Sequence, residues 1–477
     1  MKHLITILFF ISSLLVFSKS ETKWKFDFGP ASESETQKKQ RETEKTESET
    51  EKTERDAIPQ KRDGIPFGPG KTKKGYIKID SESVYSEKTG FGFDFVKAPE
   101  SVRFGNDALK GDACVSDKGF YFSVDLPEGD YLVKVLLGNG KKPSLTTIRG
   151  ESRRLFFEKV ETKKGEFREV SFTTNVRYVE IDKNENVKIK PREKSKNNWD
   201  KKLTIEFNDT APSVCALEIE KVENAVTVFL CGNSTVVDQD NEPWCGWGQM
   251  IPRFFNEKVS FANYAESGEA ANSFISAGRL KKIETKIKKG DYLFVEFGHN
   301  DQKQKGEGVG PWTSYTKDLK KYIELARSKG ATPVLVTSMH RRNFDENGKI
   351  VNTLLEYPDA VRKLAKDENV AIIDLNAMSK ILYEAWGVEE SKKAFVHYPA
   401  KTFPNQPQAL QDNTHFNPYG GYELAKCIVE GVKKALPELS LYIRQDYKPF
   451  DPSMPDPVNL FSMPSSPFIE VEKPDGN

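Results

Sequence analysis

AVTVFLCGNSTVV, Ala225 to Val237, is the stretch on which the reading of the fold turns. Its first half is an apolar run without alternation, as in a strand buried on both faces. The run then stops at Gly232-Asn233-Ser234-Thr235. A strand that only builds a core can end in any turn. One that ends in Gly and then offers a small hydroxyl can be placing a nucleophile. Ser234 alone does not decide between the two, so the pattern on either side must.

Downstream, WGQMIPRFFNE has helical spacing and VSFANYA reads as a second strand. SFISAGRLKKIETKIKKG reads as a helix with a Gly stop, and DYLFVEFG as a third buried strand. SYTKDLKKYIELARSKG, TPVLVTS, PDAVRKLAKDEN and VAIIDL continue as helix, strand, helix and strand. NPYGGYELAKCIVEGVKKALP closes as a helix with Pro418 in its first turn. Strands alternating with helices predict a parallel sheet covered on both faces, hence an α/β fold. In such sheets chemistry gathers beyond the carboxyl ends of the strands. Four landmarks fall at strand ends or in a late loop: Gly232-Asn233-Ser234, Glu266-Ser267-Gly268-Glu269, Gly298-His299-Asn300-Asp301 and Asp412-Asn413-Thr414-His415.

Upstream, from about Gly75 to Lys221, the pattern changes to period two. FYFSVDL, DYLVKVLLG, REVSFTT, KLTIEFN and CALEIEKV alternate and are separated by turn residues, which predicts an antiparallel β-sandwich. Nothing in its residues identifies a ligand site, and it reads more readily as a scaffold packed on the next domain. Residues 31–64 are almost all Glu, Lys, Thr, Ser, Arg and Gln and cannot bury a core. FGP occurs both before this run and just after it, so the run reads as an interruption of an N-terminal edge strand or turn. Residues 1–20 carry a lysine, an apolar run and then small residues, the order of a signal peptide. The resulting division is 1–20 signal peptide, 31–64 charged linker or insertion, 65–221 sandwich, 222–440 α/β domain and 441–477 extended tail. Secretion or a periplasmic location follows, with no membrane span after signal removal.

The 477 residues carry a net charge of +1, which argues against a broad nucleic-acid surface. The five cysteines form no CxxC pair. Cys231 and Cys245 could bridge a short loop, or be small buried hydrophobes.

A serine nucleophile needs a base, usually histidine, and the base needs a carboxylate to fix its tautomer. Asp412 and His415 are three apart, close enough for one loop to present both. The oxyanion of acyl transfer needs convergent donors, and the backbone N–H of Ser234, the backbone N–H of Gly268 and the amide of Asn300 are suitable. Besides His415, the histidines beyond residue 20 are His299, His340 and His397. There is no GxSxG elbow and no HExxH pair.

Taken together, GNSTVVDQDNEPWCGWGQMIPRFF, NYAESGEAANSF, FVEFGHNDQK and HYPAKTFPNQPQALQDNTHFNPYGGYELA resemble the four blocks of the SGNH (GDSL-type) hydrolase superfamily, and within it the rhamnogalacturonan acetylesterase branch. The sandwich region is similar to the galactose-binding-like domain that precedes such catalytic domains. The resemblance implies a doubly wound, flavodoxin-like catalytic sheet and a metal-independent, cofactor-free serine esterase. It implies Ser234 as nucleophile and first oxyanion donor, Gly268 and Asn300 as the other donors, His415 as base and Asp412 as its orienting carboxylate. His299 and His397 are candidates for shaping the substrate site. The implied substrate is an acetylated plant cell-wall polysaccharide, rhamnogalacturonan first. Rivals are another acetylated glycan such as xylan, or a non-catalytic carbohydrate-binding protein. The family's usual Asp is Asn here, at 233, next to the nucleophile. It also makes Asn233-Ser234-Thr235 a formal glycosylation sequon, as is Asn208-Asp209-Thr210, and both are read as accidental.

Overall fold

The computed structural model describes residues 22–31 and 72–467. The expected signal peptide and nearly all of the charged segment lie outside the described residues. Two antiparallel-type sheets come first. One runs in the order Phe167–Val176, Gly129–Gly138, Ser213–Val222, Lys23–Phe28, Ile77–Ile79. It is extended by Asp112–Val115, which also pairs with Ser213–Val222, and by Glu100–Arg103. The other runs Phe91–Asp94, Phe120–Asp125, Lys202–Ala211, Ser144–Gly150, Arg154–Thr162. In Gly129–Gly138 the residues Tyr131, Val133, Val135 and Leu137 are buried while those between them are half-covered, the period expected of a strand with one face inward. Phe122 stands at the centre of that core, with ring centroids 5.1 Å from both Phe26 and Phe28 and 5.6 Å from Phe93.

The N-terminal strand is not at an edge. Lys23–Phe28 lies inside the sheet, antiparallel to Ser213–Val222 and parallel to the short Ile77–Ile79. Phe26 and Phe28 are fully buried, so the segment is an inner strand on hydrophobic grounds, and the three-residue Ile77–Ile79 is the edge.

Behind the sandwich stands a five-stranded parallel sheet: β1 (Val226–Gly232), β2 (Val259–Asn263), β3 (Tyr292–Glu296), β4 (Thr332–Val336) and β5 (Ala371–Ile373). Its order is β2-β1-β3-β4-β5, all pairs parallel. Alternate residues of β1 enter different cores. Val228 and Leu230 join Trp247, Met250, Leu382 and the helix Pro418–Ala435 on one face. Phe229 and Cys231 join Phe274, Ile283, Tyr322 and Val361 on the other. A strand covered on both faces has no reason to alternate, which is why AVTVFLCG does not.

Several local expectations are revised. SFISAGRLKKIETKIKKG is two short helices, Ala271–Ser276 and Arg279–Glu284, broken at Gly278, whose φ is +78°. WGQMIPRFFNE is one helical turn, Trp247–Met250, followed by the 3-10 turn Ile251–Phe254, where Pro252 supplies no N–H. The helix Leu375–Glu390 and the hairpin of Phe395–Tyr398 with Leu410–Phe416 were not anticipated. All five cysteines are buried and free, so Cys231 and Cys245 are small hydrophobes and not a bridge. Among the described residues no helix is long and apolar enough to cross a membrane.

Candidate active site

β1 ends at Gly232 because nothing larger fits there. A Cβ at 232 would lie 2.5 Å from Val236 Cγ2 and 3.1 Å from the Glu296 carbonyl. The chain then folds over itself: the N–H groups of Val236 and Val237 both donate to the Asn233 carbonyl at 3.0 Å. The Asn233 side chain closes the turn from inside, its Oδ1 accepting from Thr235 N at 3.1 Å and from Thr235 Oγ1 at 2.9 Å. That turn needs one acceptor at 233, which Asn supplies, while its Nδ2 is buried without a hydrogen-bond partner among the described residues. Asn233 is fully buried and Asn208 nearly so, which leaves neither sequon open to a glycan.

The turn holds Ser234, 5 % exposed, with Oγ 2.7 Å from His415 Nε2. His415 Nδ1 lies 2.8 Å from Asp412 Oδ2. With the Nδ1 proton directed at the carboxylate, Nε2 is the acceptor and the Ser234 hydroxyl donates to it. Asp412 and His415 come from a strand, Leu410–Phe416, not from the free loop expected. In a regular strand residues three apart face opposite ways. Here Val396 pairs with Asp412 and Phe395 with Phe416, so Asn413, Thr414 and His415 bulge out of the ladder. Asp412 Oδ1 closes the bulge by accepting from Thr414 N at 2.8 Å and His415 N at 3.0 Å. One carboxylate therefore shapes the backbone with one oxygen and orients the imidazole with the other. Burial works to raise its pKa. The His415 hydrogen bond and charge and the two backbone N–H groups outweigh burial and hold Asp412 well below the usual carboxylate range.

The other landmarks lie at the same sheet edge. Glu266 N donates to the Gly232 carbonyl, which ties the second landmark to the first. Gly268, half-buried, has φ +79°, a conformation that suits glycine. Asn300 is 9 % exposed and uses one of its amide hydrogens on the Glu269 carbonyl at 3.0 Å. Asp301 links the second and third landmarks, accepting from Ala271 N and Gly298 N at 2.8 Å each. His299 is buried. Burial first, then the charges of Arg341 and His415, push it well below the ordinary histidine range, so it is neutral. His397 is half-buried, its Nε2 2.9 Å from Asn413 Oδ1. Trp244 and Trp247 are core, and Trp312 is exposed.

Sequence reasoning passed over Glu296, at the end of β3. It is fully buried, with Trp247 Nε1 donating to it at 2.6 Å and Thr235 Oγ1 3.2 Å away. Thr235 has one hydrogen and two acceptors, Asn233 Oδ1 and Glu296 Oε1. A protonated Glu296 resolves this by donating toward Thr235. Burial, partly offset by the Trp247 and Thr235 hydrogen bonds, raises Glu296 to about 7, in keeping with that form. A lone charge inside the apolar run YLFVEF, Tyr292 to Phe297, was the available signal. Gln239 was also missed, although its Nε2 donates to the Ser234 carbonyl at 2.8 Å.

This geometry has relatives. Residues 230–421 match the GDSL-like lipase/acylhydrolase family, and residues 64–150 match the β-agarase/YXIM esterase-like, galactose-binding domain-like family. The rhamnogalacturonan acetylesterase RhgT of Bacillus subtilis is 46% identical over 215 residues, 45% of this chain and 92% of that protein. The uncharacterized esterase YxiM of the same organism is 26% identical over 379 residues, 77% of this chain and 90% of its own length. The solved structure of YxiM covers 86% of this chain and 98% of its own at 23% identity, with a TM-score of 0.42. The chain therefore belongs to the GDSL-like lipase/acylhydrolase family of serine esterases, with a galactose-binding-like domain at its N-terminal side.

Proposed function

We propose that the protein removes acetyl groups from an acetylated plant cell-wall polysaccharide, rhamnogalacturonan in the first place, with Ser234, His415 and Asp412 as its triad. The observation that carries the chemistry is the unbroken line Ser234 Oγ, His415 Nε2, His415 Nδ1, Asp412 Oδ2, with links of 2.7 and 2.8 Å. The substrate class is supported by the 46% identity to a protein named rhamnogalacturonan acetylesterase. The strand order β2-β1-β3-β4-β5 supports the doubly wound, flavodoxin-like arrangement. The charged, apolar, small-residue order of residues 1–20 supports a secreted or periplasmic location.

In this mechanism His415 takes the Ser234 proton as Oγ attacks the acetyl carbonyl carbon. Asp412 stays ionised throughout and stabilises the imidazolium. The tetrahedral oxyanion is received by Ser234 N, Gly268 N and the Asn300 amide. The C–O bond to the sugar breaks, and His415 returns the proton to the departing hydroxyl. Water, deprotonated by His415, attacks the acetyl-serine, the acyl C–Oγ bond breaks, and His415 returns the proton to Ser234 Oγ as acetate is released. His299, neutral and buried beside His415, adds no second cation there.

The test is acetate release from acetylated rhamnogalacturonan, acetylated xylan and p-nitrophenyl acetate by wild type and Ser234→Ala. Wild type should favour the pectic polymer, and the variant should lose roughly 10³-fold or more in turnover on all three. Equal rates from purified Ser234→Ala would overturn the mechanism. A wild type that prefers xylan would overturn the choice of glycan and leave the triad in place.

A further inference from the structure

We propose that the β-sandwich is part of the catalytic scaffold: its turn Glu151–Arg153, with Arg154 directly after it, is a positioning element for the nucleophile. The inference rests on the reading of Ser234 as the nucleophile. The turn joins the strands Ser144–Gly150 and Arg154–Thr162. Hairpin turns ordinarily lie in solvent. All three residues of this one, and Arg154 that opens the next strand, are buried at 6 % exposure or less. Two of them, Glu151 and Arg153, hold positive φ of 53° and 62° without being glycine. Such strain persists only where surrounding contacts enforce it, and it clusters where it serves a site.

The contacts lead to Ser234. Arg153 Nη1 donates to the carbonyls of Gln239 and Trp244, 3.1 Å each, and Nη2 pairs with Glu242 at 3.2 Å. Those three residues belong to the loop that follows the nucleophile turn. Ser152 joins in from both ends. Its hydroxyl donates to Asp240, and its carbonyl accepts from Gln249 Nε2 at 2.6 Å. The same Gln249 nitrogen donates to the Gln239 carbonyl at 2.8 Å. The backbone of Gln239 is thus fixed by two donors, one from the sandwich. Its side chain then grips the Ser234 carbonyl at 2.8 Å. Next to it, Arg154 forms a fully buried pair with Asp238, at 2.8 and 3.1 Å, while Asn263 at the end of β2 holds the other Asp238 oxygen at 2.8 Å. The described end of the chain closes the arrangement, Ser466 N donating to Glu242 at 2.9 Å. The route from sandwich to nucleophile is Arg153, Gln239, Ser234. A small error in the attacking atom's position costs catalysis far more than binding.

The experiment uses the full chain with p-nitrophenyl acetate and a fluorophosphonate that titrates the active serine. Neither reagent needs a glycan subsite. Arg153→Met keeps the stem and removes the donors. It should lower kcat about 10-fold or more while KM moves by about 2-fold or less, and slow serine inactivation in parallel. Arg153→Lys should recover part of the loss. Gln239→Met leaves the Gln239 carbonyl in place and removes the grip on Ser234, together with the longer 3.4 Å bond to Ser267 Oγ, so it should lose a similar factor. The double variant should be no worse than the worse single one. Arg168→Met, an exposed sandwich change, should match wild type. Wild-type kcat and inactivation rates in both Arg153→Met and Gln239→Met would overturn the proposal, and additive losses would overturn the route. If Arg153→Met fails to fold, Gln239→Met and Arg153→Lys decide by the same readouts. A wild type not labelled at Ser234 would count against the nucleophile itself. Labelling at Ser234 with unchanged rates in the variants counts against the positioning role alone.

Discussion

Ser234 and His415 touch across 2.7 Å, yet they are held by opposite kinds of structure. The end of the proposed base is local. Asp412, Thr414 and His415 lie within four residues, and one carboxylate closes the bulge and points the imidazole. The end of the proposed nucleophile is assembled from far along the chain. Gly232 is pressed by Val236 and the Glu296 carbonyl, Thr235 faces Glu296 from β3, and the following loop is fastened by Arg153 and Arg154. Asp-x-x-His carries its geometry with it, whereas Gly-Asn-Ser becomes a nucleophile turn only when the rest of the molecule surrounds it. The two ends should therefore respond differently to damage.

The largest effect is expected where the nucleophile loop meets the sandwich. Arg154 and Asp238 are both fully buried, and their spare polar atoms are satisfied by Thr174 and Asn263. Arg154→Met would leave a buried carboxylate without its cation, which should cost about 3–5 kcal/mol in denaturant unfolding. The double change Arg154→Met with Asp238→Leu should recover most of that, because neither member of the pair is left charged without the other. A loss below about 1 kcal/mol for the single variant, the range of exposed pairs, would mean that water reaches the pair and the fastening is loose.

Next comes Glu296, under the nucleophile turn. Its pKa is raised by burial from 4.5 to about 7 in the folded protein. The folded state thus holds this proton more tightly than the unfolded chain. The stability it contributes is present below about pH 4.5 and is lost as pH rises through 7. Glu296→Gln mimics the neutral acid and does not titrate. Wild type should fall behind the variant by about 3 kcal/mol between pH 4.5 and pH 8. Parallel unfolding curves for the two proteins across that range would show that the folded protein holds this proton no more tightly than the unfolded chain, so that Glu296 is ionised near neutral pH, against what the Thr235 geometry requires.

The same contrast explains what the sequence could and could not reveal. β1 was legible as a strand buried on both faces because both cores feed on its alternate residues, Val228 and Leu230 against Phe229 and Cys231. The sandwich strands were legible from the alternation in Gly129–Gly138. The site residues were gathered from their order and their resemblance to known blocks. What stayed hidden depends on contacts distant in sequence. Nothing local distinguishes Arg153 from any other arginine in ESRRLF, since its role exists only after Gln239 and Trp244 fold against it. The hairpin Phe395–Tyr398 with Leu410–Phe416 was hidden for a related reason. Its second strand contains the bulge, so LQDNTHF shows neither alternation nor an apolar run.

The smallest effect is expected at the base end, and it tests the comparison most directly. Asn417 follows His415 by two residues and is buried. Its Oδ1 caps the helix Pro418–Ala435 through Gly420 N at 3.1 Å, and its Nδ2 donates to the carbonyls of Lys393 and Phe395 at 2.7 and 3.3 Å. Asn417→Ala removes a helix cap and the brace to the neighbouring strand, so stability should fall by about 1–2 kcal/mol. If the position of His415 is set by Asp412, kcat on p-nitrophenyl acetate should nonetheless stay within about 2-fold, because neither bond that closes the bulge involves Asn417. A stability loss with kcat kept is the signature of a locally built base. A loss of about 10-fold in kcat at unchanged KM would instead place His415 under the same long-range control as Ser234, and the bulge would then be a consequence of the packing around it.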